Sequence, residues 1–144
     1  MMNELLAIIT LVVIAVAAAL IAFFIRRRPR KLNQERFAKD WLELQKLCSD
    51  KTTWKQAVIE ADDLLERALR KKNVRGKNTG ERLVRIQKQL TDNDATWFGH
   101  KLRRQIDSEP KKRLTEKEVK KALLGIRQAL KDIGALPDGK AGGK

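Results

Sequence analysis

Leu-Leu-Ala-Ile-Ile-Thr-Leu-Val-Val-Ile-Ala-Val-Ala-Ala-Ala-Leu-Ile-Ala-Phe-Phe-Ile, residues Leu5 to Ile25, runs without a charge into Arg26-Arg27-Arg28-Pro29-Arg30-Lys31. These 21 residues, at about 1.5 Å each, make roughly 31 Å of helix, enough to cross a hydrocarbon core of about 30 Å. A cleaved secretory signal needs a basic leader and an apolar core of about 7–15 residues. Met1-Met2-Asn3-Glu4 carries no Lys or Arg and the apolar run is longer, so the segment reads as a stop-transfer anchor. The flank Arg26 to Arg36 holds six Lys or Arg and the leader none. The positive-inside rule therefore places the leader outside and everything after Arg26 in the cytoplasm. A single cysteine, Cys48, agrees with a reducing compartment, since it has no intramolecular disulfide partner.

Residues 26–144 hold all 32 basic and 17 of the 18 acidic side chains, a formal charge of +15. Anionic headgroups, nucleic acid or an acidic protein surface are the counter-charges such an excess calls for. Arg26, Arg27, Arg28, Arg30 and Lys31 sit where the inner leaflet would be, and topology plus lipid contact accounts for them.

The rest reads as all helical: an N-terminal transmembrane helix followed by a small bundle of about five helices. The expected layout is an anchor over 1–25, a basic juxtamembrane linker over 26–36, a bundle over 37–136 and a disordered tail over 137–144. Apolar residues recur every three or four positions and nowhere in the strict alternation of a half-buried strand. Phe37, Trp41, Leu44 and Cys48 mark a first helix. Thr52 or Thr53 caps a second through Trp54, Val58, Ala61, Leu65 and Ala68 to about Lys72, packed antiparallel to the first. Gly76-Lys77-Asn78-Thr79-Gly80 is a turn, and Glu81 to Leu90 a third helix with Leu83, Ile86 and Leu90 inward. Asp94 is the expected cap of a fourth helix through Trp97, Lys101 and Ile106, followed by Pro110. Thr115-Glu116-Lys117-Glu118 fits a capping box for a last helix with the stripe Val119, Ala122, Leu123, Ile126, Leu130 and Ile133, closed by Gly134 and Pro137. Trp41, Trp54 and Trp97 fall on or beside the stripes and read as core anchors.

Chemistry is sparse. One His and one Cys, His100 and Cys48, form no zinc set, and no metal or other cofactor is expected. The segment Gly76 to Gly80 lacks P-loop spacing. Glu60, Asp62, Asp63 and Glu66 read as a solvated helix face paired with Lys and Arg rather than a metal cage.

Phe98-Gly99-His100-Lys101-Leu102-Arg103-Arg104-Gln105-Ile106-Asp107-Ser108-Glu109 resembles a degenerate form of the HEPN motif, in which an Arg followed by a polar residue, often Asn, precedes a His by four to six intervening positions. In similar uncharacterised, membrane-anchored bacterial proteins the stretch reads approximately His-Lys-Leu-Arg-Asn-x-Ile-Ala-His-Glu. The similarity extends to Trp54 through Leu65, to Gly80-Glu81-Arg82-Leu83 and to Leu130 through Leu136. It implies a helical domain on a bacterial inner membrane and, in active members, a ribonuclease using the Arg and His. Here Arg103 matches the arginine, Arg104 stands for the Asn and Ser108 for the His. Serine is no general acid or base near neutral pH, and His100 precedes Arg103 instead of following it, so no catalytic residue and no enzymatic activity are expected. His100 is expected to be a partly buried polar contact, with Arg103 paired to a carboxylate such as Glu60 or Asp63.

The leading expectation is a non-enzymatic membrane-tethered module that recruits an unidentified protein partner, with no small-molecule substrate. The alternative is an RNA- or ribosome-binding protein whose phosphate-facing surface would be Arg103, Arg104, Lys111, Lys112, Arg113, Lys117, Lys120 and Lys121. The ribonuclease itself is the weaker third reading.

Overall fold

The computed structural model describes residues 1–28 and 30–138, so Pro29 of the expected linker and the part of the expected tail beyond Asp138 lie outside the described residues. Within them are six α-helices and no strand: α1 Met2–Arg27, α2 Gln34–Gln45, α3 Trp54–Lys71, α4 Thr79–Ile86, α5 Asn93–Ser108 and α6 Glu116–Asp132. The first is long and apolar enough to cross a membrane, and none of its residues is buried against protein. The other five close a core of their own.

Local chemistry moves several boundaries. Asn33 caps α2 by accepting from the Arg36 N–H at 3.2 Å, so the helix starts before Phe37 and the expected linker is shorter. Leu32 and Phe37 occupy the two positions of a hydrophobic staple and lie in one core cluster. After Gln45 the chain tightens into two 3-10 turns, Lys46–Ser49 and Lys51–Thr53. Thr53 is the residue before α3 but gives it no side-chain cap, because its hydroxyl donates to the Leu47 carbonyl at 2.6 Å. The antiparallel pairing of α2 and α3 holds: Asp40 meets Arg67 at 3.0 Å, and Arg67 and Lys71 sit over the Phe37 ring.

Thr79 and Gly80, expected in a turn, form the first turn of α4 because Asn78 caps it through the Glu81 N–H at 2.9 Å. That helix ends at Ile86, a 3-10 turn follows, and Leu90 is extended yet still buried. Asp92, not Asp94, caps α5 by accepting from Ala95 N–H at 2.9 Å. The α6 capping box forms in both directions, at 3.2 Å and 2.9 Å, and the Thr115 N–H holds the Glu118 carboxyl below its usual range. Helices α3 and α6 both end in Schellman turns: Val74 N–H and Ala135 N–H reach back to Leu69 and Leu130 carbonyls at 3.0 and 2.8 Å. The left-handed residues are Asn73 (φ 66°) and Gly134 (φ 81°).

The larger core cluster joins α2, α3, α4 and α6 through residues such as Phe37, Leu65, Leu83 and Leu130. The second joins α3, α5 and α6 through Val58, Leu102, Ile106, Val119 and Ala122. Trp41 is buried as expected, whereas Trp54 and Trp97 are half-buried, with the Trp54 N–H on the Cys48 carbonyl at 2.9 Å. Helices α5 and α6 pack tightly at Gly125, where a Cβ would run into the Ala95 carbonyl. Alanine is the better helix former by about 1 kcal/mol, but here the backbone of α5 blocks its methyl. Gly125→Ala is expected to lower the unfolding free energy by about 1–3 kcal/mol, the usual cost of overpacking. Urea unfolding in detergent micelles measures this, and an unchanged midpoint would contradict the contact.

Candidate functional site

His100, Arg103, Arg104 and Asp107 recur at helical spacing on one side of α5. With Asp62, Asp63 and Glu66 of α3 and the first turn of α4 they line a cleft. The acidic face expected on α3 is divided. Asp62 turns inward and is 4 % exposed, Asp63 pairs outward, and Glu60 accepts from Gln56 at 2.9 Å. His100 Nδ1 faces Asp62 Oδ1 at 3.0 Å and Oδ2 at 3.2 Å. A carboxylate can only accept when ionised, so there Nδ1–H is the donor of this pair. A Cβ at Gly80 would lie 3.7 Å from Nε2, and the Trp97 ring stands edge-on to the imidazole. Burial pushes the Asp62 carboxyl above its ordinary range, against the pull of the His100 hydrogen bond and the nearby Arg103 charge. His100 is thus buried more fully than expected.

Arg103 is already occupied. Its Nε donates to Asp107 at 2.9 Å and an Nη donates to Asp63 at 2.5 Å, with Asp62 at 3.9 Å. Burial alone would lower its pKa, but the bonds to Asp63 and Asp107 outweigh that and keep the guanidinium charged. Of the two expected partners, Asp63 pairs with it and Glu60 does not. Five carboxylates line the cleft against Lys77, Arg103 and Arg104, a balance that disfavours a polyanion. Ser108, where the resemblance to the HEPN motif would call for a histidine, is exposed at the end of α5 and bonds the Gln105 carbonyl at 3.3 Å.

The basic residues proposed from sequence as one phosphate-facing surface are divided among three places. Arg103 and Arg104 belong to the acidic cleft. Lys111, Lys112 and Arg113 border a groove with Lys51 and Lys55, although Lys112 pairs with Glu118 at 3.6 Å. Lys117, Lys120 and Lys121 line a groove between α6 and the start of α5, and Lys121 lies 4.5 Å from the centre of the Phe98 ring. Arg127 and Lys131 continue that last set around exposed Leu124. The helical spacing of Lys117, Lys120, Lys121, Leu124, Arg127 and Lys131 marks this face in the sequence, and it extends two cations beyond the expected set that ends at Lys121. The Asp62–His100 pair carried no comparable signal, because its partners lie 38 residues apart. No protein-family model, curated protein or solved structure matches the chain.

Asp62→Ala leaves the His100 donor buried without an acceptor and is expected to cost about 1–3 kcal/mol. Asp62→Asn, which keeps an oxygen there, costs less. Since folding raises the Asp62 pKa, its contribution is fullest below the unfolded value of about 3.9 and is lost as pH rises through the folded value. Wild type should therefore lose stability relative to Asp62→Asn as pH increases from that point. Denaturant titrations across this range check the sign, and a gap that widens in the opposite direction contradicts it.

Proposed function

We propose that this chain is a single-pass membrane protein, of a bacterial inner membrane, whose cytoplasmic helical domain is a non-enzymatic recruitment module for an acidic protein partner. The observation that carries the reading is the outer face of α6. Lys117, Lys120, Lys121, Arg127 and Lys131 have no carboxylate partner among the described residues, and Leu124 stands 55 % exposed in their midst. A central apolar contact ringed by unpaired cations suits an acidic amphipathic surface, the charges steering encounter and the leucine supplying burial.

The tether is supported by the uncovered apolar helix α1 and by Arg26, Arg27, Arg28, Arg30 and Lys31 after it, which set the domain on the cytoplasmic side. On the HEPN-like reading, the domain keeps the scaffold and has lost the chemistry. Its motif arginine is held by Asp63 and Asp107, and a serine outside the cleft replaces the histidine. RNA binding is the second reading, favoured by the groove of Lys51, Lys55, Lys111, Lys112 and Arg113, whose lining includes no carboxylate.

A photoreactive amino acid in place of Leu124, in the full chain in its own membrane, tests the assignment. One protein adduct is expected. It should fall at least tenfold with Lys117→Glu, Lys120→Glu and Lys121→Glu combined, taking roughly 0.5–1 kcal/mol for each charge, and stay unchanged with Arg104→Gln. A ribonuclease-sensitive adduct would replace the proposal with the RNA reading, and an adduct indifferent to the charge reversals would defeat it.

A further inference from the structure

Four residues, 28–31, separate the last helical residue of α1 from Leu32, which is 8 % exposed and part of the core. Even fully extended, the path from Arg27 to Leu32 spans roughly 17 Å. If α1 crosses a bilayer, the end of the bundle that holds Leu32 is confined to the headgroup zone or just above it. Hydrogen bonds define that end. Gln34 Nε2 donates to the Gly134 carbonyl at 3.2 Å, Lys72 Nζ to the Ile133 carbonyl at 2.6 Å, and the Asn73 side chain to the Arg26 carbonyl. The start of α2 and the two Schellman turns of α3 and α6 are thereby locked together beside the tether.

This end is also where cations concentrate. Residues 30–36 and 70–77 contain eight Lys or Arg and one acid, Glu35. The opposite end, residues 46–55 and 107–118, contains seven Lys or Arg against five acids. Arg36, Arg70, Lys71 and Arg75 are exposed, and no carboxylate pairs with them among the described residues. We propose that this end of the bundle, with Arg36, Arg70, Lys71 and Arg75 at its surface, is a second membrane contact that docks the domain on the anionic leaflet beside its own tether.

The inference rests on the membrane-anchor reading but not on the identity of any partner. Docking stands the bundle on end, and α3 alone rises roughly 27 Å for its 18 residues. The opposite end is then well beyond the ~8 Å over which an anionic surface acts at physiological salt. The N-terminal half of the α6 face and the Lys111–Arg113 loop are left open to the cytoplasm.

The test uses the full chain in nanodiscs of phosphatidylcholine, with or without phosphatidylglycerol, and reads amine acylation of individual lysines by mass spectrometry. With phosphatidylglycerol present, Lys71 and Lys77 should react roughly tenfold more slowly, while Lys111 and Lys117 keep their rates. Arg36→Gln, Arg70→Gln and Arg75→Gln together should restore Lys71. Uniform slowing of all lysines, or protection of Lys71 that survives the triple variant, overturns the docking face. Alkaline carbonate treatment of the same discs tests the anchor separately: a chain that washes out refutes the membrane reading itself.

Discussion

Everything in this chain follows from an apolar helix that its own protein does not cover. Residues of α1 such as Leu11, Ile14 and Phe24 are 66–71 % exposed, in a helix free of charge from Leu5 to Ile25. At about 25 cal/mol for each Å² of apolar surface removed from water, leaving such a helix bare is untenable. Soluble monomers do not present contiguous apolar surface on this scale. The helix is long and apolar enough for a bilayer to meet that requirement. The helical domain needs nothing from α1, since Leu32 to Leu136 supply both core clusters. The apolar helix and the domain are thus separate burial problems, joined by a short connection.

Between α3 and α5 the buried polar groups satisfy one another. Asp62 and His100 are buried together, and Arg103 is enclosed by Asp63 and Asp107. Such a network fixes the crossing of α3 and α5 and leaves little unsatisfied charge to meet a ligand. Cations without a carboxylate partner among the described residues include those on the outer face of α6 and at the tethered end. On the proposed reading these are two contact faces of the same sign, one for lipid and one for a partner.

Most of the architecture is legible in sequence because helical periodicity and end signals act locally. The Thr115–Glu118 box, the Gly134 stop and the stripe from Val119 to Ile133 need only neighbouring residues, and they appear where expected. Errors fall where two local signals compete. Asp92 and Asp94 are both good caps, and the structure uses Asp92. Asn78 takes Thr79 and Gly80 into α4 although their composition reads as a turn. Thr53 has a choice of acceptors and bonds back to Leu47. The site was less legible, since the inward turn of Asp62 and the division of the basic set both depend on how α3, α5 and α6 are arranged in three dimensions. Periodicity can state which residues share a face, but not which face meets which.

Sidedness tests the central claim most directly: protease added to inverted membrane vesicles and, separately, to intact spheroplasts, with the chain followed by antibodies to its C-terminal domain. In inverted vesicles the domain should be digested, leaving a membrane-embedded fragment of about the length of α1, and in spheroplasts it should survive whole. Digestion in spheroplasts, or a chain wholly degraded in vesicles with no protected fragment, would contradict a cytoplasmic module held by a membrane-spanning helix.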